Sequence, residues 1–143
     1  MQSPFRILGE SDSRPDSFHD CHVHGLRWKA DRFTFTIDLQ YIVEWVQPID
    51  PSRGYRFWIS EARLTFRDVD DLKLSMDWSG TSLDAQMETI RVLKSRATPA
   101  GLSQRNYEVV FSTPEGSISL WSTGYELALL EKPLLSEVSS IVP

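Results

Sequence analysis

From Phe33 to Trp45 the chain alternates. Phe33, Phe35, Ile37, Leu39, Tyr41, Val43 and Trp45 are apolar, Thr34, Thr36, Asp38, Gln40 and Glu44 between them are polar, and Ile42 alone breaks the pattern. Side chains of an extended strand point alternately to opposite faces, so this run has one apolar and one wet face; a helix would scatter the same residues around its axis. The pattern predicts a strand of some 40 Å at roughly 3.3 Å per residue, long enough that it is expected to bend or twist strongly.

The segment 47–54, with two prolines and Gly54, reads as a loop. A second alternating run follows, with Tyr55, Phe57 and Ile59 at odd positions and Ala62, Leu64 and Phe66 at even ones. The phase change across Ser60 and Glu61 predicts a β-bulge there, or a strand that passes from one sheet to another. Leu72, Leu74, Met76 and Trp78 alternate again. Residues 81–95 are mixed. Thr81 to Asp84 resemble a capping box and Leu83, Met87 and Ile90 have helical spacing, whereas Ile90 and Val92 suit a strand. The reading adopted is a helical turn at 82–86 and a strand at 88–95. Tyr107, Val109 and Phe111, a turn at 113–116, then Ile118 and Leu120 predict a hairpin. A further phase change, to Tyr125, Leu127 and Leu129, places Gly124 at an expected bulge.

These elements sit in a simple organisation: a flexible polar leader at 1–17, one β domain at 18–133, and an apolar tail at 134–143. The tail carries Leu134, Leu135, Val138, Ile141 and Val142 and is expected to dock on the domain. At least six strands at short spacing with little helix predict a mainly β fold, an antiparallel β-sandwich or partly open barrel with at most one short helix.

Composition narrows the function classes. A length of 143 residues suits one domain with a sizeable core, and 41% hydrophobic with 24% charged residues is globular rather than disordered. A net charge of −5 argues against nucleic-acid or anionic-membrane partners. Cys21 is the single cysteine and cannot form an internal disulfide, which fits a cytoplasmic setting. The N-terminal residues lack the apolar run of a secretory signal, and no apolar run approaches the roughly 20 residues of a membrane span.

Candidate chemistry is concentrated at one place. All three histidines and the cysteine lie within Phe18–His24. On a regular strand Asp20, His22 and His24 share a face, and imidazoles two residues apart can share a metal at about 2.0–2.1 Å for zinc. The later glutamate and histidine that complete cupin sites are missing, and so is the longer barrel of metal-dependent amidohydrolases. His19 and Cys21 point in parallel, which is awkward for a nucleophile and its base. The acidic turn Arg67–Asp71 lacks the glycine and closing glutamate of a calcium loop. Arg53, Arg56, Arg63 and Arg67 lie among aromatics, a pattern that can stack single-stranded nucleic acid, but the acidic balance favours a solvated sheet face. Dinucleotide, phosphate-loop, Cys-x-x-Cys and nucleophile-elbow motifs are absent from the sequence.

The leading expectation is therefore a non-catalytic, cytosolic protein-binding domain without a cofactor, whose acidic surface complements a basic partner. His19, Asp20, Trp45, Trp58 and Trp121 are its candidate contact residues, since aromatics concentrate at interfaces. The alternatives are a metal-binding domain or metal-dependent enzyme using Asp20, His22 and His24, and a binder of a small apolar ligand.

The order Phe18-His19-Asp20, Gly25-Leu26, a long strand ending at Glu44-Trp45, Leu64-Thr65-Phe66 with Val69 and Asp71-Leu72, and Asp77-Trp78 continues into Glu115 to Ser119, Thr123 to Tyr125, and Pro133. Over Phe18 to Pro133 it resembles small uncharacterised bacterial mainly-β proteins, some of them similar to immunity proteins of polymorphic toxin systems. The resemblance implies a mainly β fold and a protein-binding role. It supplies no active-site residues, and His22 and His24 are not part of its pattern.

Overall fold

The alternating stretches become paired strands in a computed structural model, which describes residues 4–13, 15–50 and 52–137. These residues form ten strands: β1 Arg6–Gly9, β2 His22–Lys29, β3 Thr34–Val46, β4 Arg56–Arg67, β5 Asp70–Ser75, β6 Gln86–Ala97, β7 Ser103–Thr113, β8 Glu115–Ser122, β9 Gly124–Leu129 and β10 Leu134–Ser136. All pairings are antiparallel, in the order β1-β9-β4-β3-β2-β6-β7-β8-β5, with β10 also on β4. Two short 3-10 turns, Pro15–Phe18 and Ala30–Arg32, are the helical elements of the described residues. The fold is mainly antiparallel β, with the sheet left open between β1 and β5.

The sheet divides into two leaves, β1-β9-β4-β3-β2 and β6-β7-β8-β5. Little joins them edge to edge. His22 faces Gln86, the Val23 N–H donates to the Ala85 carbonyl at 2.8 Å, and the Met87 N–H donates to the Cys21 carbonyl at 2.9 Å. The apolar rows do the rest. Phe35, Ile37 and Leu39 of β3, Leu64 and Phe66 of β4, and Tyr107 and Val109 of β7 are fully buried, as are Ile118 and Leu120 of β8. Across the leaves Phe66 meets Tyr107 at 5.4 Å between ring centroids, and Tyr125 meets Tyr107 edge-on at 5.7 Å. Such edge-to-face pairs add stability beyond the area they bury.

Four local expectations change. The β3–β4 ladder runs unbroken past Ser60 and Glu61, opposite Tyr41 and Gln40, so no bulge lies there; the extra residue is Val43 on β3, between Ile42 and Glu44. The phase change arises because both rows of β4 are covered in turn. Ala62, Leu64 and Phe66 fill the shared core with Ser60 in their row, while Phe57 and Ile59 are buried in the opposite row, where β10 pairs alongside. Ser60 is tolerated because its hydroxyl donates to the Glu131 carbonyl at 2.6 Å.

The second phase change is a crossing between leaves rather than a bulge. β8 lies in one leaf and β9 in the other, with only Thr123 between them. Gly124 has φ +147, a conformation side chains rarely adopt. The crossing is pinned by the Ser122 hydroxyl on the Arg67 carbonyl at 2.6 Å and the Thr123 hydroxyl on Asp68 Oδ2 at 2.7 Å.

No helical turn forms at 82–86, and β6 starts at Gln86, two residues before the expected strand. The Trp78 indole N–H donates to the Asp84 carbonyl at 2.9 Å and the Asp84 N–H to that of Ser82, which holds this stretch in bends.

The polar leader also gives way. Residues 6–9 pair with β9, Leu8 and Ser13 are buried, and the packed domain begins near β1 rather than at Phe18. Glu10 and Ser13 of this segment find partners. Glu10 accepts the Tyr107 hydroxyl at 3.0 Å and pairs with Arg105 at 2.8 Å, and the Tyr125 hydroxyl donates to the Ser13 carbonyl. Of the tail, Leu134–Ser136 docks as β10. Val138, Ile141 and Val142 lie outside the described residues.

Candidate functional site

The histidine-rich stretch lies between the first 3-10 turn and the start of β2. Cys21 points into the core and is fully buried; burial pushes its thiol up to about 12, which disfavours the reactive thiolate. The neighbouring side chains disperse. Asp20 Oδ1 accepts the Gln86 amide at 3.0 Å, and His22 Nδ1 lies 3.6 Å from Asp84. His24 Nε2 contacts Glu61 Oε2 at 2.8 Å, and the other Glu61 oxygen accepts from Gln40 at 2.9 Å. The β2–β3 register slips between Val23 and Gly25, so His24 sits at an irregularity. The i, i+2 row that would offer Asp20, His22 and His24 to one ion presupposes a regular strand, and the slip removes that regularity. Among the described residues no three His, Cys, Asp or Glu side chains converge in a way that could hold a metal ion.

Two of the expected contact residues do come together. His19 is exposed and lies parallel to the Trp45 ring, 6.3 Å between centroids at 17°. Trp45 is itself 41% exposed. Beneath it, Phe57 makes an edge contact at 4.9 Å, and Tyr55 makes another at 5.9 Å. The ladder explains the grouping: Trp45 is directly opposite Phe57, so both project from one face at the loop end of the β3–β4 hairpin. Val43, the extra residue of β3, shifts the odd positions onto that face and brings Trp45 outward. Beside this cluster Pro48, Ile49, Arg53, Tyr55 and Arg56 line an open cleft of about 650 Å³, with Asp50 and Glu137 at its wall. Ile49 is 98% exposed at its rim.

The remaining candidates lie elsewhere. Asp20 stands beside His19, at 3.5 Å, and joins the edge of this surface. Trp58 is next to Phe57 in the chain but opposite Glu44, on the other face, and pairs with Leu135 of β10. Trp121 belongs to the other leaf, where the Arg96 guanidinium covers its ring at 4.2 Å. Two arginines of the β4 run are engaged by acids: Arg63 with Asp38, which Arg27 also holds at 3.0 Å, and Arg67 with Glu126.

Tyr55, expected among the arginines of the β4 run, and Ile49 join Trp45 at this surface instead. Their signal was position, since a loop of two prolines between two long strands must present its ends together. A second exposed apolar group, Trp28 of β2, Phe33 after the second 3-10 turn, and Leu72 and Leu74 of β5, carries no signal in the local pattern. Among the described residues no helix is long and apolar enough to cross a membrane. No protein-family model, curated protein or solved structure matches this chain.

Proposed function

We propose that this chain is a protein-binding domain that contacts its partner through the His19–Trp45–Tyr55 surface. The observation that supports this reading is the exposed, already stacked aromatic group at the hairpin end. Rings held by neighbours lose little side-chain entropy on binding, and Trp and Tyr dominate the energetics of protein interfaces. A protein partner of the kind bound by immunity proteins accords with the resemblance over Phe18 to Pro133, and a net charge of −5 favours a basic one. A cytoplasmic setting accords with the single, reduced thiol of Cys21.

Affinity capture from the source cell tests the reading, with wild-type protein beside the Trp45→Ala/Tyr55→Ala double variant. The expected result is a protein held by the wild type and lost by the variant. Equal retention by both, or no retained protein, overturns it.

A further inference from the structure

One carboxylate is gripped by both leaves. Glu10 follows β1 and reaches across to β7 and β9. The Tyr107 hydroxyl lies 3.0 Å from each of its oxygens and donates to them. The Tyr125 N–H donates to Oε1 at 3.2 Å, and Arg105 Nη2 is 2.8 Å from Oε2. Tyr107 and Arg105 belong to one leaf and Tyr125 to the other.

The surroundings are shaped to this group. A Cβ at Gly124 would stand 3.1 Å from Glu10 Oε1, tighter than side chains ordinarily pack, and Gly124 has φ +147. The charges match one to one. Arg105 pairs with Glu10 and with no other acid among the described residues, while the nearby Arg67 is taken by Glu126 at 3.6 Å. A guanidinium, the hydroxyl of a fully buried tyrosine and a backbone N–H therefore converge on one position. One cation with two neutral donors suits a single carboxylate. The Glu10 side chain is 23% exposed, so the position has access to solvent.

The segment that delivers Glu10 is lightly attached. β1 is four residues long and pairs with β9 alone, so its other edge has no strand partner among the described residues. Of its side chains only Leu8 is buried, and Phe5 and Ile7 are each 55% exposed. Local opening is easiest where few apolar groups are buried and backbone bonds lie near solvent. Glu10 is thus a main anchor of this segment.

We infer that Arg105, Tyr107 and the Tyr125 N–H form a carboxylate-binding site, which Glu10 fills as a tethered ligand and which takes an external carboxylate when residues 6–10 lift. The tether makes Glu10 a strong competitor, since a short link holds a ligand at an effective concentration on the order of millimolar. An external acid replaces it either as a small free carboxylate or on a strand that also pairs with the bared edge of β9. The inference uses neither the Trp45 surface nor the premise of a protein partner.

The test uses the full chain carrying Glu10→Ala, with acetate and its neutral counterpart acetamide as probes at constant ionic strength. Acetate is expected to raise the melting temperature of the variant saturably, and acetamide to leave it unchanged. Adding Arg105→Gln is expected to weaken the acetate effect at least about tenfold. Wild type is expected to ignore acetate, while its β1 amides bonded to β9 exchange faster than those of β3 and β4. A peptide copying residues 5–10 separates the two sources. Slowed exchange at residues 124–129 with the peptide assigns the acid to a strand, and acetate rescue without that protection assigns it to a free carboxylate. No saturable response to acetate, or an equal response to acetamide, overturns the proposal. So do wild-type β1 amides that exchange only when the whole fold opens. Where Glu10→Ala does not fold, Glu10→Gln keeps the size of the side chain and is expected to quicken exchange in β1 alone; exchange unchanged from wild type overturns the proposal equally.

Discussion

Phe35 and Trp28 are cross-strand neighbours on the same side of the same two strands, yet one is fully buried and the other mostly bare. The contrast extends to two regions. Where the leaves meet, Phe66, Tyr107 and Tyr125 enclose one another, and every polar group they bring is matched by Glu10, Arg105 or Ser13. At the hairpin end and on β2, aromatics of the same kind keep a large part of their surface exposed, Trp45 41% and Trp28 64%. Aromatic content thus serves cohesion in the first region and leaves apolar surface available in the others.

The largest expected effect lies in the closed region. Tyr125→Ala removes a buried ring and the hydroxyl that reaches Ser13, and is expected to cost about 3–5 kcal/mol in denaturant unfolding. A cost near that of an exposed tryptophan would break the contrast. Next comes Gly116→Val. A Cβ at Gly116 would collide with the Ser75 carbonyl across the β5–β8 ladder, so about 1–3 kcal/mol is expected, together with faster amide exchange along β5. Loss of stability without faster exchange at β5 would show that the collision is relieved elsewhere than in the β5–β8 ladder.

Alkaline pH sharpens the comparison without a mutation. Burial first, then the Glu10 carboxylate, raises the Tyr107 and Tyr125 phenols above their usual range, and burial raises the Cys21 thiol. A folded-state pKa above the unfolded one means the native state keeps a proton that the unfolded chain releases. Stability is therefore complete below the ordinary values of 9.0 for the thiol and 10.0 for the phenols, and falls as pH rises past them. Melting temperature measured from pH 8 upward should be flat, then decline, and Cys21→Ala should make the first part of the decline shallower.

Smaller effects belong to the open regions. Trp45→Ala loses edge contacts with Phe57 and Tyr55, so about 1 kcal/mol is expected in unfolding, well below Tyr125→Ala, together with loss of the captured partner. Least of all, Glu61→Gln leaves a half-exposed contact with His24 weakened and should change stability by less than about 1 kcal/mol.

Much of the strand content was legible because period-two alternation is a local property. The strand expected over Arg32 to Trp45 formed from Thr34 onward, Arg32 and Phe33 being taken up by a 3-10 turn and its left-handed end, and the Tyr107–Leu120 hairpin formed where expected, since each needs only its own pattern and a turn. Residues 82–86 misled because a capping-box pattern and helical spacing describe an isolated segment, whereas the Trp78 indole and the Val23 edge hold this one extended or bent. The candidate site was legible only in part. His19 and Trp45 could be singled out as residues, but nothing in the spacing of 26 positions between them announces a stacked pair.

The sequence by itself determined that this chain is built of strands with alternating apolar rows, because alternation is written residue by residue. Which rows are covered was decided only by the tertiary structure. The Val43 irregularity, the Thr123 crossing and the gap between β2 and β5 depend on how distant strands align. That alignment buries Phe35, leaves Trp28 bare, and sends Asp20, His22 and His24 to separate neighbours. Burial is a relation between segments far apart in the chain, so no local pattern contains it.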